Sequence, residues 1–242
     1  MMTIEFNRDA IWRPGLFSEK KVDDSVSTQL QPMLVDTSLP SSPDRELVER
    51  YIGGIFHASY GAKLLDYLPL LVHMEQGGTL RAALGLRSAS RGRLFAERYL
   101  DASLEQLVAD EFARVVHRSQ LMELGNLVSS EPGQAVSLYL LVVAALGDAG
   151  ISHLVFAANR AVRLSIKRCG FDTRELLTAD PARLGADAEV WGSYYAGDPS
   201  VVVADIPAAV KHGKQHPEIS ALWQREAMVI ASLADCIRCE RN

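Results

Sequence analysis

One acidic residue stands in an otherwise apolar run. Glu123 lies in the middle of Met-Glu-Leu-Gly-Asn-Leu at residues 122–127, within a stretch from 119 to 129 that has the pattern of a strand. A charged side chain is costly in such a place unless it is paired. Two explanations stay open: the carboxylate accepts a proton as a general base, or a nearby arginine such as Arg114 or Arg118 neutralises it.

Two further groups of side chains are candidates for contact with a substrate. Glu97, Tyr99 and Asp101 precede a predicted helix, where they either cap and solvate the local structure or contact an acceptor molecule. Trp191 and Tyr194 belong to an aromatic run, which either walls an acyl pocket or packs in the core.

The remaining reactive residue types form no site of their own. Cys236 and Cys239 have the C-x-x-C spacing, but no second pair or nearby histidine completes four zinc ligands, so we expect no metal. The six histidines are scattered, and none forms a nucleophile motif with a serine or cysteine.

The composition narrows the class of protein. The 242 residues are 48% hydrophobic and 23% charged, as in a folded globular chain. The net charge of -5 argues against a nucleic-acid partner. An odd number of cysteines and the lack of a secretion signal near the start favour a cytoplasmic location. The apolar run 135–146 is shorter than the roughly 20 residues of a membrane-crossing helix, so we expect no membrane span.

The elements that must position these residues follow from periodicity. Residues 1–43 are proline-rich and predict an extended or partly disordered arm, which leaves 44–242 as the folded domain. The domain begins with an amphipathic helix to about Tyr60. Two antiparallel strands at 68–74 and 79–86 follow, joined by a Gly-Gly turn. A helix after 103 then precedes the strand of Glu123, in which Gly125 suggests a bulge or a close backbone approach.

The second half of the sequence predicts a strand–helix–strand crossover. An apolar helix from Ala135 leads to a strand at 153–158, and its length allows this strand to lie parallel to that of Glu123. A helix at 159–168 closes at Gly170. A strand at 201–206 and one helix from Pro217 to about Arg238 complete the chain.

The segment from Asn159 to Phe171 resembles the last conserved segment of the GNAT acyltransferases, N-x-x-A-x-x-x-Y-x-x-x-G-F. The resemblance implies an α/β (α+β) fold with a mixed, mostly antiparallel sheet, a parallel splayed central pair, and flanking helices. It places Asn159 and Arg163 near the donor thioester. Ile166 stands where the family usually has a tyrosine that protonates the leaving thiolate, so that role is vacant or filled elsewhere.

The resemblance also implies where the donor's phosphates lie. GNAT proteins bind a pyrophosphate at the start of the helix after the central strand. The residues at that place are Ser129, Ser130, Gly133 and Gln134, with fewer glycines than the family's loop. An acyl carrier protein is therefore an alternative to coenzyme A as the source of acyl-phosphopantetheine, and neither is expected to be bound permanently.

The strand of Glu123 resembles the E-x-S-R strand of the acyl-homoserine-lactone synthases, with Glu123 in place of the glutamate and Asn126 in place of the arginine. This resemblance implies that Glu123 and Asn126 are catalytic and that the acceptor is a small amine or amino acid. Over residues 46–206 the chain is similar to the thermostable hemolysin family. The motifs that carry this similarity are Tyr60-Gly-Ala, Ala82-Ala-Leu-Gly-Leu-Arg, Leu94-Phe-x-Glu-x-Tyr-Leu-Asp, Glu123-Leu-Gly-Asn-Leu and Trp191-Gly-Ser-Tyr-Tyr.

Three functions follow from these resemblances. The leading hypothesis is transfer of a fatty-acyl group from a carrier thioester to an amine. The second is a membrane-lytic hemolysin that acts through the C-terminal helix, whose balanced charge suits anionic lipid poorly. The third is a GNAT-like protein without catalysis that binds a partner.

Overall fold

The chain folds around one mixed sheet. In a computed structural model, residues 33–131 and 133–241 are described. The seven strands are Met33–Ser38 (β1), Leu70–Gln76 (β2), Thr79–Ser88 (β3), Leu121–Ser129 (β4), His153–Ala158 (β5), Thr173–Thr178 (β6) and Ser200–Asp205 (β7). Their order is β1-β2-β3-β4-β5-β7-β6, and β4 and β5 form the parallel pair in a sheet whose other pairs are antiparallel. The predicted fold class is confirmed.

Helices cover both faces of this sheet. The α-helices are Arg45–Tyr60 (α1), Leu104–Phe112 (α2), Gln134–Asp148 (α3), Arg160–Arg168 (α4), Ile206–Gln215 (α5), Pro217–Arg225 (α6) and Ala227–Arg241 (α7). Short 3₁₀ segments lie at Ala89–Arg91, Ala96–Arg98, Arg118–Gln120, Pro181–Trp191 and Tyr194–Gly197. The predicted antiparallel hairpin, crossover and helix after β5 are all present.

The main core lies on the face of α3. This helix is apolar on nearly all sides, because it packs between the sheet and helices α5, α6 and α7. Leu138, Leu140 and Leu146 are fully buried there. Within the two described ranges, no helix combines the length and the apolar character needed to cross a membrane.

The opposite face carries α1, α2 and the 3₁₀ segments. In α1, Val48, Ile52 and Phe56 recur every fourth residue and bury one stripe against the sheet. The helix ends at Gly61, whose φ of 68° lies in the left-handed region and whose N-H donates to the carbonyl of His57 at 2.8 Å. Tyr60 is therefore fixed as the last residue of α1.

The parallel pair parts after a few residues. Leu121 to Glu123 pair with His153 to Val155, and Glu123 opposite Val155 is the last pair. Beyond it, β4 follows β3 through a bulge, since it holds one extra residue between the pairs Gly85↔Gly125 and Ala83↔Val128. The bulge predicted for Gly125 is confirmed, because the extra residue lies among the two residues that follow it. A Cβ on Gly125 would also lie 3.0 Å from Leu68 Cδ1.

The structure corrects several element predictions. β1 lies within the segment assigned to the N-terminal arm and pairs with β2, while residues 1–32 of that arm lie outside the described residues. β6 was missing from the sequence analysis. The single C-terminal helix is wrong, because the backbone of Glu226 leaves the helical conformation and separates α6 from α7. The helix α5 was also missing from the sequence analysis, and it ends where His216 adopts an extended backbone before Pro217.

Candidate active site

A cavity of about 610 Å³ opens where β4 and β5 part, on the sheet face that carries α1. One wall is β4 from Glu123 to Ser129, and the other is the end of β5 with Asn159 and Val162. The α1 helix and the segments around 93–99 and 187–195 close the remaining sides. The parted strands, as expected from the GNAT resemblance, thus border a cavity that is lined by residues of several elements.

Glu123 lies at the floor of this cavity. Its side chain is buried at 3% exposure. Its two oxygens accept backbone hydrogen bonds from Phe95 N at 2.9 Å and Ala96 N at 2.7 Å. Burial raises the pKa of Glu123 above its ordinary value, and these two N-H groups oppose the rise.

The arginines proposed as partners of Glu123 are engaged elsewhere. Arg114 pairs with Asp205 at 3.1 Å, and Arg118 pairs with Glu97 at 2.7 Å. Backbone amides, and not an ion pair, therefore satisfy Glu123. A missed neighbour is Arg87, which stands directly opposite Glu123 in the β3–β4 register and lowers the pKa of that carboxyl through its charge.

Asn126 shapes the bulge. Its φ of 54° lies in the left-handed region, which asparagine tolerates better than most residues. The side-chain oxygen accepts a hydrogen bond from Leu68 N at 3.0 Å, and the residue lines the cavity. The structure thus brings Asn126 to the site, where its oxygen holds the chain before β2.

Asn159 caps α4 beside the parted strands. Its Oδ1 accepts from Val162 N at 3.0 Å, and its Nδ2 donates to the hydroxyl of Tyr60 at 3.2 Å. The predicted cap is therefore present, and the residue lines the cavity.

Arg163, also predicted near the donor, does not line the cavity. Its Nη1 donates to the carbonyl oxygens of Ala158 and Asp198, both at 3.2 Å, and to Ser200 Oγ. These bonds tie α4 to β5 and to the start of β7, because a guanidinium can satisfy several carbonyls at once.

Hydrogen bonds join residues of the loop before α3 to one another and to β3. Ser129 Oγ donates to the carbonyl of Glu131 at 2.9 Å, and Ser130 N donates to Arg81 O at 2.9 Å. Gln134 Nε2 donates to Glu131 Oε2 at 3.2 Å. Ser129 and Ser130 line the cavity rim, whereas Gly133, with a φ of 94°, and Gln134 do not.

Glu97 lies outside the cavity lining. Both of its oxygens bond Arg118, at 2.8 and 2.7 Å, and Leu94 N donates to it at 2.7 Å. Burial would raise the pKa of Glu97, but the hydrogen bonds and charge of Arg118 lower it below its ordinary value. The acceptor contact predicted for Glu97 is replaced by an ion pair.

Aromatic rings form the wall opposite β4. Trp191 and Tyr194 line the cavity with ring centroids 5.4 Å apart, and Tyr194 OH donates to Ala157 O at 3.1 Å. Tyr99 also lines it, with its hydroxyl 2.5 Å from that of Tyr195. The three predicted aromatic residues therefore reach the site.

Sequence reasoning missed the contribution of α1 and β3. Phe56, Tyr60 and Arg87 line the cavity although none was assigned a role. The available signal was Tyr60-Gly61, a helix ending in a left-handed glycine, which fixes where the last side chain stands.

Comparison with solved structures identifies the fold. The CoA-dependent acyl-homoserine lactone synthase BjaI, with SAM and isopentyl-CoA, matches with a TM-score of 0.52 at 13% identity over 80% of this chain and 89% of that chain. FeeM, an N-acyl amino acid synthase from uncultured soil microbes, matches with 0.51 at 13% identity over 74% and 93%. TofI in an apo form matches with 0.51 at 15% identity over 74% and 96%. The fold is GNAT-like.

Comparison of sequences identifies the family. No curated protein matches this sequence. The family model described as thermostable hemolysin matches residues 39–210, which include α1, the whole cavity wall and all strands except β1. The chain therefore belongs to the thermostable hemolysin family.

Proposed function

We propose that the protein is an N-acyltransferase that moves a fatty-acyl group from an acyl-phosphopantetheine thioester to a small amine or amino acid. The observation that carries this proposal is the buried Glu123 carboxylate on the floor of the cavity, where β4 and β5 part. A base at this place can serve an amine that attacks a thioester lying between the two strands.

The acceptor needs a base because an alkyl amine has a pKa of about 10 and is protonated at neutral pH. Burial raises the pKa of Glu123, which makes its carboxylate a better proton acceptor than an exposed one. The two backbone N-H groups hold the carboxylate in place without neutralising it.

The cavity suits an apolar donor chain. Its volume of about 610 Å³ is in the range of small-molecule sites. The wall carries Phe56, Trp191 and Leu68, which offer apolar surface to an acyl chain. We place the thioester near Asn159, since the parted strand ends leave an open space beside it.

The names of the structural neighbours support this class of reaction. BjaI is described as a CoA-dependent acyl-homoserine lactone synthase and FeeM as an N-acyl amino acid synthase. Both names specify a product that carries an acyl group.

An acyl carrier protein and coenzyme A both present acyl-phosphopantetheine and both suit this proposal. The side chains of Ser129 and Gln134 donate to Glu131 in the loop before α3, whereas a pyrophosphate at a helix start is bound by backbone N-H groups. The two donors are therefore compared directly in the assay.

The test is an acceptor-dependent thiol release assay. Acyl-coenzyme A, acyl-pantetheine and acyl carrier protein are each offered with a panel of amines and amino acids, and mass spectrometry identifies the amide. We expect release that depends on both substrates. Donor binding without release would support the binding-protein alternative, and leakage of lipid vesicles by the purified protein without release would support the lytic one.

A further inference from the structure

A second proton transfer remains unassigned in the proposed reaction, on which this inference rests. When the amine displaces the thioester sulfur, the sulfur leaves with an electron pair and needs a proton. Glu123 takes a proton and cannot supply one in the same step. The donor is therefore either water or another group of the cavity wall near the parted strands.

Two cavity hydroxyls reach the end of β5 within the described part of the chain. Tyr194 OH donates to the carbonyl of Ala157 at 3.1 Å, so its proton is already used. Tyr60 OH meets Asn159 Nδ2 at 3.2 Å. The two hydroxyls thus stand at the same strand end but in opposite hydrogen-bonding roles.

The helix cap decides the role of the Tyr60 hydroxyl. Val162 N donates to Asn159 Oδ1 at 3.0 Å, which fixes that side of the amide as the oxygen. The other side is then the NH₂ group, which donates to the Tyr60 oxygen. Tyr60 is an acceptor in this bond, and its own O-H proton stays available for a ligand in the cavity.

The ring of Tyr60 is held in place before any ligand binds. Its centroid lies 5.3 Å from that of Tyr194 in an edge-on contact and 5.8 Å from that of Phe56. Its backbone carbonyl accepts from Ser193 N at 2.8 Å. Burial raises the pKa of Tyr60, opposed by the Asn159 bond, so the hydroxyl keeps its proton at neutral pH.

We propose that Tyr60 is the catalytic proton donor to the departing sulfur. The ammonium form of the acceptor first gives one proton to Glu123, which passes it to bulk water. The neutral amine nitrogen then bonds to the thioester carbonyl carbon, the C-S bond breaks, and its electron pair goes to sulfur. Sulfur takes the Tyr60 proton and leaves as a thiol, while Glu123 takes the second proton lost by nitrogen. Water then carries this proton from Glu123 to the Tyr60 phenolate, so that nitrogen loses one proton to the solvent and one, through Glu123 and Tyr60, to sulfur.

The test compares two donors that carry the same acyl group. One has an alkyl thiol as the leaving group, which needs a proton, and the other has an acidic aryl thiol, which does not. Tyr60→Phe should lose about 100-fold in turnover with the alkyl thioester and only a few-fold with the aryl thioester. The matched control, Tyr194→Phe, removes a hydroxyl from the same wall and should change both rates by the same factor.

Equal losses of Tyr60→Phe on both donors, or no loss on either, would overturn this assignment while the proposed function stands. A wild type that is inactive with every thioester would overturn the proposed function and this inference together. If Tyr60→Phe does not fold, a wild-type series with leaving thiols of different acidity decides instead. Rates nearly independent of thiol acidity are expected, and a steep dependence would refute the role of Tyr60.

Discussion

Replacement of Glu123 by glutamine tests the proposed function most directly. The carboxylate accepts one backbone N-H on each oxygen, from Phe95 at 2.9 Å and Ala96 at 2.7 Å. Glutamine has one oxygen, so its NH₂ group must face one of these N-H donors. The change therefore removes the base and also disturbs the turn that holds it.

The two effects are similar in size but appear in different quantities, the activation free energy and the free energy of unfolding. Loss of a general base lowers turnover by about 100-fold or more, which corresponds to about 2.7 kcal/mol of activation free energy. One buried N-H without an acceptor costs about 1–3 kcal/mol of folding stability. Removal of a buried negative charge offsets part of this cost, because burial disfavours the charged form of Glu123.

The pH dependence of folding stability and of kcat/KM distinguishes the loss of the base from the cost of the unpaired backbone N-H. Because the pKa of Glu123 is raised on folding, the stability it contributes is present below the ordinary carboxyl pKa and is lost as pH rises through the raised value. Glutamine does not titrate, so the variant shows no such change with pH. The difference in folding stability between the wild type and Glu123→Gln should therefore be larger at acid than at neutral pH. In the wild type, kcat/KM should rise with pH through the same raised pKa, and the variant should lack this rise.

The assay combines amide formation, followed by mass spectrometry, with denaturant unfolding at both pH values. Glu97→Gln is the matched control, since it removes a carboxylate that pairs with Arg118 outside the cavity. We expect this control to lose stability and to keep its turnover within a few-fold. If Glu123→Gln retains full turnover and only unfolds more readily, Glu123 has a structural role and the catalytic assignment is wrong.

Three further predictions follow from single contacts. Asn159→Ala should weaken binding of a non-hydrolysable acyl-pantetheine analogue in calorimetry, and loss of the helix cap should lower the free energy of unfolding by about 1 kcal/mol. Asn159→Ser keeps a cap but does not reach Tyr60, so equal binding by this variant and the wild type would contradict the placement of the donor near Asn159. Gly192→Ala should lower the free energy of unfolding, followed by thermal denaturation, by about 1–3 kcal/mol, because its φ is 55° and a Cβ would lie 2.1 Å from Tyr60 O. Gly54 is the control: it is exposed, a Cβ there would have no atom within 4 Å, and alanine should be tolerated. Burial, with the charge of Arg114, lowers the pKa of His153 to about 4, so folding stability should fall as pH drops from about 6.5 towards that value. His153→Gln should reduce this fall in denaturant unfolding, and an unchanged pH profile of stability would show that His153 does not cause it.

The crossover could be predicted because its signals are local. The helix α3 is apolar on nearly all sides, which is typical of a helix buried between a sheet and other helices. Asn159 before a helix and Gly170 after it mark the two ends of α4 by capping chemistry alone. Such signals need no knowledge of the rest of the chain.

The edges of the sheet could not be predicted in the same way. β1 and β6 are edge strands, and both keep several exposed or half-exposed residues. An edge strand buries less of its surface, so its hydrophobic alternation is weak. The sequence of β6, Thr-Arg-Glu-Leu-Leu-Thr, has polar residues on both sides of two leucines and fits a helix equally well.

The sequence marks Glu123 as a site residue but does not mark the groups that surround it. Glu123 stands out in the sequence because a carboxylate in an apolar strand needs an explanation. The groups that satisfy it are backbone amides 27 and 28 residues earlier, and no residue type marks a backbone amide. Arg87 stands opposite Glu123 only through the register of β3 and β4, which cannot be read from either strand alone because a bulge after Gly125 shifts the pairing along the two strands.

Glu97 and Glu123 show how the fold gives different roles to a partly buried and a fully buried carboxylate. Arg118 binds both oxygens of Glu97 and lowers its pKa, which keeps that carboxylate charged and makes it a poor base. Backbone amides hold Glu123 instead, and burial is the stronger effect, so its pKa is raised. Of this pair, only Glu123 lines the cavity. Because a general base must be both held in place and ready to accept a proton, a cradle of neutral amides suits this role where an arginine would not.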